Sequence, residues 1–289
     1  MPDHPLRRAL PLFLLAGFCL ASLDATAKHL VREHSLFLVV WARYAGQMLV
    51  VTPFTWHQVG PGFWRTRRLP LQLVRSAFLL AATVCFFAGL RYLPLAEASA
   101  VTFLAPVFVV LLSGPLLGER PSRIRWLASI GGFAGVLLLL RPGSAIFHPA
   151  VVLLIGMALF NALYQILTRK LADEDLHTTL FYSAFVGTVV LTLLLPWGIG
   201  DAMPTPRAAG LLLLLGVLAG LGHWSIIGAY QRAPASLLTP FTYLQMLWAT
   251  AYGYLIFGQL PDAVSVLGMA IIVGAGVALA LSERRRTRR

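Results

Sequence analysis

Long apolar segments separated by short polar connections run along the whole chain. Ten of them approach the roughly 20 residues that a helix needs to cross about 30 Å of hydrocarbon. Because lipid offers no partners for free backbone groups, segments of this length are predicted to be helical. The predicted spans are 9–31, 36–56, 71–91, 95–117, 123–140, 149–170, 177–198, 208–230, 236–258 and 263–281.

The composition agrees with this pattern. The chain is 58% hydrophobic and 12% charged, which is more apolar surface than a soluble protein can bury. The connections leave no room for a soluble domain, and they are short enough to make neighbouring helices antiparallel. The sequence therefore predicts an all-α membrane protein that forms one membrane domain.

Part of the chain occurs twice. Residues 94–122 align without a gap with 234–262, at an offset of 140. The alignment matches helix breakers, such as Gly118 with Gly258, and it places Phe103 opposite Tyr243. With five helices in each half, the second half enters the membrane in the opposite orientation. We therefore predict two inverted five-helix repeats around a central cavity, 1–144 and 145–289. The identical pairs are Pro94/Pro234, Thr102/Thr242, Leu104/Leu244, Gly118/Gly258 and Pro121/Pro261.

The net charge of +12 raises the possibility of nucleic-acid binding, but the distribution of the charges argues against it. With the N-terminus in the cytoplasm, seventeen of the 23 lysines and arginines fall on the inner side, Arg75 among them. Five fall outside and Arg43 lies within a span. This bias predicts that both termini are cytoplasmic in a bacterial inner membrane. The basic tail is expected to lie against anionic lipid headgroups.

The N-terminus also resembles a signal peptide, because an arginine pair precedes an apolar run that ends in Ala25-Thr26-Ala27. The offset of 140 places segment 9–31 opposite 149–171. A counterpart in the second half favours a permanent first span over a cleaved leader.

Ionisable residues within spans are expensive, at roughly 2.5 to 3.5 kcal/mol each on insertion scales, and are functional candidates for that reason. Asp24 and Arg43 lie at matching depth on the first two helices, where they could form an ion pair. Such a pair could be purely structural or could contact a substrate. Lys28 is expected to extend to the outer interface.

Polar and aromatic residues recur on several other spans. Asn161 and Tyr164 begin a stripe at helical spacing that continues through Gln165 and Thr168. Such a stripe could form a hydrogen-bonded seam between helices, but amides and phenols favour a cavity lining. His223 could be a satisfied core residue or carry a proton. The candidate substrate-binding residues are Asp24, Trp41, Arg43, Tyr44, Phe103, Asn161, Tyr164, His223, Trp224, Tyr243 and Gln245.

Glycines and prolines predict where helices approach one another and where they bend. The pairs Gly131/Gly135 and Gly216/Gly220 have the small-xxx-small spacing that allows close packing. Prolines fall in the fourth and ninth spans, the pair related by the repeat, and are expected to kink them. Helices 5 and 10 are expected at the periphery or at a dimer contact. The prolines are Pro106, Pro115 and Pro240.

Several functional classes lack their motifs in this sequence. No nucleotide-binding P-loop, zinc-protease or nucleophile-elbow motif occurs. Cys19 and Cys85 lie within spans and are expected to be packing residues. We therefore expect no enzymatic activity, no catalytic residues, no cofactor and no metal.

The passage LPLAEASAVTFLAPVFVVLLSGPLLGERPSRIRWLASIGGFAGVLLL (93–139) resembles the EamA-type transporters of the drug/metabolite transporter superfamily. The GER at 118–120 before a basic loop is the characteristic part, and 233–262 is similar to the same module with Gln259 in place of Glu119. ASLDATAKHL (21–30) and WARY (41–44) are similar to the first hairpin of that family. The resemblance implies a secondary carrier of small organic metabolites, and it matches Glu119 to the family's acidic loop residue.

The sequence thus favours a carrier that exports amino acids, because Asp24 and Arg43 together could hold a zwitterion. The alternative is uptake of an aromatic cofactor or vitamin of flavin or adenosyl type, which the aromatic residues would also suit. Drug efflux or a non-transport membrane protein fits less well. The expected partners are the small-molecule substrate and membrane lipids, and the protein is expected to be a monomer or a homodimer.

Overall fold

The computed structural model describes residues 5–118, 122–141, 148–171, 173–198, 204–233, 238, 241 and 243–287. These residues form helices and no strands. A 3-10 turn at Thr102–Leu104 joins α4 to α5. The helices are α1 (Pro5–Glu33), α2 (Leu36–Val59), α3 (Leu69–Leu90), α4 (Leu95–Val101), α5 (Ala105–Leu117), α6 (Arg123–Leu140), α7 (Val151–Lys170), α8 (Leu176–Gly198), α9 (Pro206–Arg232), α10 (Leu244–Phe257) and α11 (Ala263–Thr287).

Eight helical segments in the described ranges are long and apolar enough to cross a membrane, and a shorter apolar one covers Ala263–Leu279. The eight correspond to the first eight predicted spans. The predicted ninth span, 236–258, includes positions outside the described residues. Residues singled out above that lie outside them are Glu119, Arg120, Pro121, Pro234, Pro240 and Thr242.

The predicted kink in the fourth span is confirmed. Pro106 has no N–H, so the carbonyl of Thr102 lacks its usual donor four residues on. The N–H of Ala105 donates to that carbonyl instead, which tightens the chain into the 3-10 turn. The Thr102 hydroxyl donates to the carbonyl of Ser99 at 2.6 Å and satisfies a further backbone group there. A single proline therefore divides the span into α4 and α5.

Gly118 and Gly258, one of the identical pairs of the repeat, have the same backbone conformation. Gly118 ends α5 with φ 68°, and Gly258 ends α10 with φ 64°. Both angles are left-handed, a conformation that glycine adopts without the penalty of a Cβ atom. The two halves thus end equivalent helices with the same turn.

The glycine pairs bring helices into close contact as predicted. On α6, a methyl group added at Gly135 would lie 2.7 Å from the carbonyl oxygen of Gly268 on α11. On α2, a methyl group at Gly46 would lie 2.6 Å from the Cα of Gly216 on α9. These contacts join helices of opposite halves, so the halves interdigitate.

The packing pairs map onto each other when the halves are exchanged. Helix α1 packs on α9 as α7 packs on α3, and α2 packs on α9 as α8 packs on α3. Pairs that map onto themselves also occur, α2 with α8 and α6 with α11. In addition, Phe103 stacks on its repeat equivalent Tyr243, with ring centroids 4.9 Å apart and an angle of 21°. These two residues, which are equivalent in the sequence repeat, are therefore in direct contact.

Candidate functional site

Arg43 of α2 is buried in the bundle and only partly provided with partners. Its side chain is 6% exposed, and its guanidinium lies 4.4 Å from the ring centroid of Tyr44. Its Nη1 atom is buried without a hydrogen-bond partner. Tyr44 is fully buried, and its hydroxyl lies 3.0 Å from Oγ1 of Thr83 on α3. One terminal nitrogen of this buried guanidinium therefore has no hydrogen-bond partner.

Asp24 of α1 lies near Arg43 but does not pair with it. Among the described residues the two side chains do not reach ion-pair distance, although they interact electrostatically. The Asp24 carboxylate instead accepts a long hydrogen bond from Nε2 of Gln245, at 3.4 Å. The ion pair that their matching depth made possible therefore does not form, although the two charges interact. Each group keeps capacity to bind something else.

Arg75 of α3 was assigned to the cytoplasmic side by the sequence, but it lies inside the bundle at 2% exposure. Its Nε donates to Oγ1 of Thr168 at 2.7 Å, and its Nη2 donates to the hydroxyl of Tyr164 at 2.9 Å. Its Nη1 donates to the carbonyl of Thr179 and to Oγ of Ser183, at 3.2 and 3.0 Å. This cluster, which we call the Arg75 knot, joins α3 to α7 and α8.

The Arg75 knot explains the polar stripe on α7. Tyr164 and Thr168 bind Arg75, whereas Gln165 is exposed and Asn161, one turn from Tyr164, is partly buried. The stripe was the signal that could have located Arg75, since buried hydroxyls need a partner. The position of Arg75 near a span end indicated a cytoplasmic location instead.

His223 of α9 lies within electrostatic reach of both Arg43 and Arg75. Its Nδ1 lies 2.8 Å from the carbonyl oxygen of Ala219. Since a carbonyl only accepts, Nδ1 carries a proton, and in the neutral ring Nε2 is left as an acceptor. Trp224 is 40% exposed and meets the ring of Phe54 edge-on, at 6.0 Å. His223 thus belongs with the two arginines, and Trp224 lies on the other side of α9.

Two further aromatic candidates are engaged by the protein. Nε1 of Trp41 donates to Oγ1 of Thr192 on α8, at 2.9 Å. The hydroxyl of Tyr243 lies against Gly276 of α11, in the space that a Cβ atom would fill. The ring of Tyr243 can therefore reach its stack on Phe103 only because position 276 has no side chain.

Substituting Gly276 by alanine is expected to displace Tyr243 and loosen its stack on Phe103. Overpacking of this kind typically costs about 1–3 kcal/mol. The matched control is Gly274→Ala, because a methyl group there meets no atom within 4 Å. Thermal unfolding in detergent and substrate counterflow should both fall for Gly276→Ala and stay near wild type for Gly274→Ala. Equal behaviour of the two variants would contradict the contact.

Lys28, near the C-terminal end of α1, is fully buried. The expectation that it extends to the outer interface is therefore wrong. Its ammonium donates to the carbonyls of Leu90 and Leu93, where α3 ends. A cation is stabilised by the free carbonyls at a helix C-terminus. Arg91 in turn donates to the carbonyls of Val31 and His34, where α1 ends. The ends of α1 and α3 are thus tied reciprocally.

An exposed ion pair joins α6 and α11 near this end. The Arg141 guanidinium bonds the Asp262 carboxylate, and the N–H of Ser265 donates to the same carboxylate at 2.8 Å. The Arg141 bond, and to a smaller extent the Ser265 bond, holds the pKa of Asp262 well below its usual range. The carboxylate therefore stays charged at neutral pH and also caps the start of α11.

Comparison with known proteins adds to this geometry. The model of the EamA-like transporter family matches residues 7–141 and again 148–282. A riboflavin transporter of Vibrio cholerae is 29% identical over 293 residues, 99% of this chain and 97% of that protein. An S-adenosylmethionine uptake transporter of Rickettsia prowazekii is 28% identical over 276 residues, 94% and 92% of the two chains.

A pseudopaline exporter, CntI, of Pseudomonas aeruginosa is 29% identical over 284 residues, covering 96% of this chain and 98% of that protein. One crystal structure superposes with a TM-score of 0.69 over 97% of this chain and 98% of its own, at 20% identity, which shows a common fold. The family model covers nearly the whole sequence, once in each half. This multi-pass membrane protein therefore belongs to the EamA-like transporter family.

Proposed function

We propose that this transporter is a secondary carrier of amino-acid-type metabolites in the bacterial inner membrane, working by alternating access. The observation that carries the proposal is that Asp24 and Arg43 interact without forming an ion pair. The two opposite charges lie close enough to interact, yet neither satisfies the other. A zwitterion has an ammonium for the first and a carboxylate for the second.

The aromatic residues support this choice over an aromatic cofactor. The Arg43 guanidinium lies over the ring of Tyr44, and Phe103 is stacked on Tyr243. Rings whose faces are already covered by the protein are less able to stack on a flavin or a purine. Uptake of an aromatic cofactor remains the second candidate, because two relatives are named riboflavin and S-adenosylmethionine transporters.

The deciding experiment is counterflow in proteoliposomes of the full chain. Labelled amino acids, riboflavin and S-adenosylmethionine are each tested against an excess of the same compound inside. We expect exchange of amino-acid-type compounds. Exchange of riboflavin or S-adenosylmethionine alone would instead favour the cofactor carrier. Vesicles of known orientation then test whether the direction is export, as the sequence favours.

We propose ten spans arranged as two inverted repeats, 1–144 and 145–289. The exchange of packing pairs between the halves supports this arrangement, as does the stack of Phe103 on Tyr243. An axis in the membrane plane would relate the halves, so that a cavity facing one side converts into a cavity facing the other.

This topology predicts the side on which the C-terminal helix emerges. A cysteine placed at Ser282 of α11 should react with a membrane-impermeant thiol reagent in inverted vesicles and not in intact cells. Replacing Cys19 and Cys85 by alanine first removes the native thiols. Labelling of the Ser282→Cys variant from the periplasm would contradict an even number of spans with a cytoplasmic N-terminus.

A further inference from the structure

Among the described residues, two guanidinium groups and one carboxyl group meet in the interior of the bundle. Asp24 interacts electrostatically with Arg43, and both Arg43 and Arg75 interact with His223. Lys28 and Glu97 lie farther out, where they interact with each other and Glu97 also interacts with the pair of Arg141 and Asp262. Charges buried away from water need partners of opposite sign. One carboxylate cannot supply both arginines.

The partners of Arg75 do not supply the missing charge. In the described part of the chain they are three hydroxyl groups and a backbone carbonyl, all of them neutral. They satisfy most of its donors but leave its positive charge uncompensated. Among the described residues, the interior therefore holds more positive than negative charge.

An anionic group that compensates this positive charge would bind next to Gln47. It lies one turn after Arg43 on the same face of α2, and its side chain is 1% exposed. Neither its Oε1 nor its Nε2 has a hydrogen-bond partner, and the same holds for Nη1 of Arg43. A buried polar group without a partner typically costs about 1–3 kcal/mol. Nη1 of Arg43 and Nε2 of Gln47 are both donors, as an oxyanion requires.

We infer that the transported molecule is a net anion. Its two carboxylate-type groups share the donors of Arg43, and the additional one binds Nη1 of Arg43 together with Gln47. The inference rests on the proposed function and narrows it. A neutral zwitterion would leave the excess positive charge in place, whereas a molecule with one ammonium and two carboxylates cancels it. Gln47 is then a residue that determines specificity, because its amide N–H donates to the anionic group.

The test compares acids with their amides, which differ in charge but hardly in shape. Counterflow in proteoliposomes of the full chain is measured with glutamate and glutamine, and with aspartate and asparagine. We expect the acid to exchange about tenfold or more faster than its amide, the effect of one charge-assisted contact. Equal exchange of acid and amide, or exchange of neutral amino acids only, overturns the net-anion inference but leaves the proposed function standing. No exchange by any amino acid overturns the proposed function itself.

Two variants of Gln47 complete the test. Gln47→Leu removes an amide without a partner, so the protein should fold, while the preference for acid over amide should shrink several-fold. Gln47→Glu places a carboxylate beside Arg43 and should abolish the preference, because the protein then supplies the anion. Gln165→Leu is the matched control, since Gln165 is exposed on α7. A Gln47→Glu variant that still prefers acids would overturn the assignment.

Discussion

Replacing Gly216 by alanine is expected to unfold or strongly destabilise the protein. An added methyl group would collide with the backbone of Gly46, and backbone cannot rotate away as a side chain can. Because α2 and α9 belong to opposite halves, separating them also opens the contact between the halves. Overpacking costs about 1–3 kcal/mol in well-packed cores and more where the neighbour is rigid, so we expect the upper end of this range.

The control for this variant lies on the same helix. At Gly210 a methyl group meets no atom within 4 Å, and alanine is preferred over glycine in helices by about 1 kcal/mol. Gly210→Ala should therefore be neutral or slightly stabilising. The measurement is the midpoint of thermal unfolding in detergent, with the folded yield from size-exclusion chromatography. A Gly216→Ala midpoint as high as that of Gly210→Ala would refute the backbone contact.

The double variant Asp24→Asn with Arg43→Gln is expected to fold and to lose transport. Because Asp24 and Arg43 form no direct ion pair, neither single change breaks one. Each single variant should therefore lose less than the ~3–5 kcal/mol that removing one member of a bonded buried pair costs. Both charged contacts to a zwitterion would be absent, so counterflow should fall to the level of empty liposomes.

The matched control changes one acid and one base that are exposed, Glu33→Gln with Arg67→Gln. It removes the same charges without touching the interior, and it should transport at the wild-type rate. If the Asp24/Arg43 double variant also transports at that rate, these residues serve structure alone. Unfolding midpoints of all variants separate lost binding from lost folding.

Much of the fold could be predicted because the membrane restricts what a sequence can form. Apolar length predicted the first eight spans within a few residues, and Pro106 predicted the interruption between α4 and α5. The identical glycines 118 and 258 proved to have the same left-handed turn. These features depend on local sequence, which determines backbone hydrogen bonding regardless of the neighbouring helices.

The interior could be predicted only in part, because depth along a helix does not define the direction of a side chain. Asp24 and Arg43 lie near each other as expected, but their distance depends on helix rotation. Lys28 and Arg75 were assigned to interfaces because both lie near span ends. The carbonyls and hydroxyls that hold them belong to other helices and leave no mark in the local sequence.

Among the described residues of the other half, nothing corresponds to the Arg75 knot. The position related to Arg75 by the repeat is Leu215 of α9, a fully buried apolar residue next to Gly216. In an inverted-repeat carrier the two access states arise when the halves exchange conformations. Guanidinium hydrogen bonds stabilise one half, whereas a glycine contact stabilises the other. The two access states would therefore differ in free energy. The proposed alternating access therefore predicts that the empty carrier prefers to face one side, and that its apparent substrate affinity differs between the two sides of the membrane.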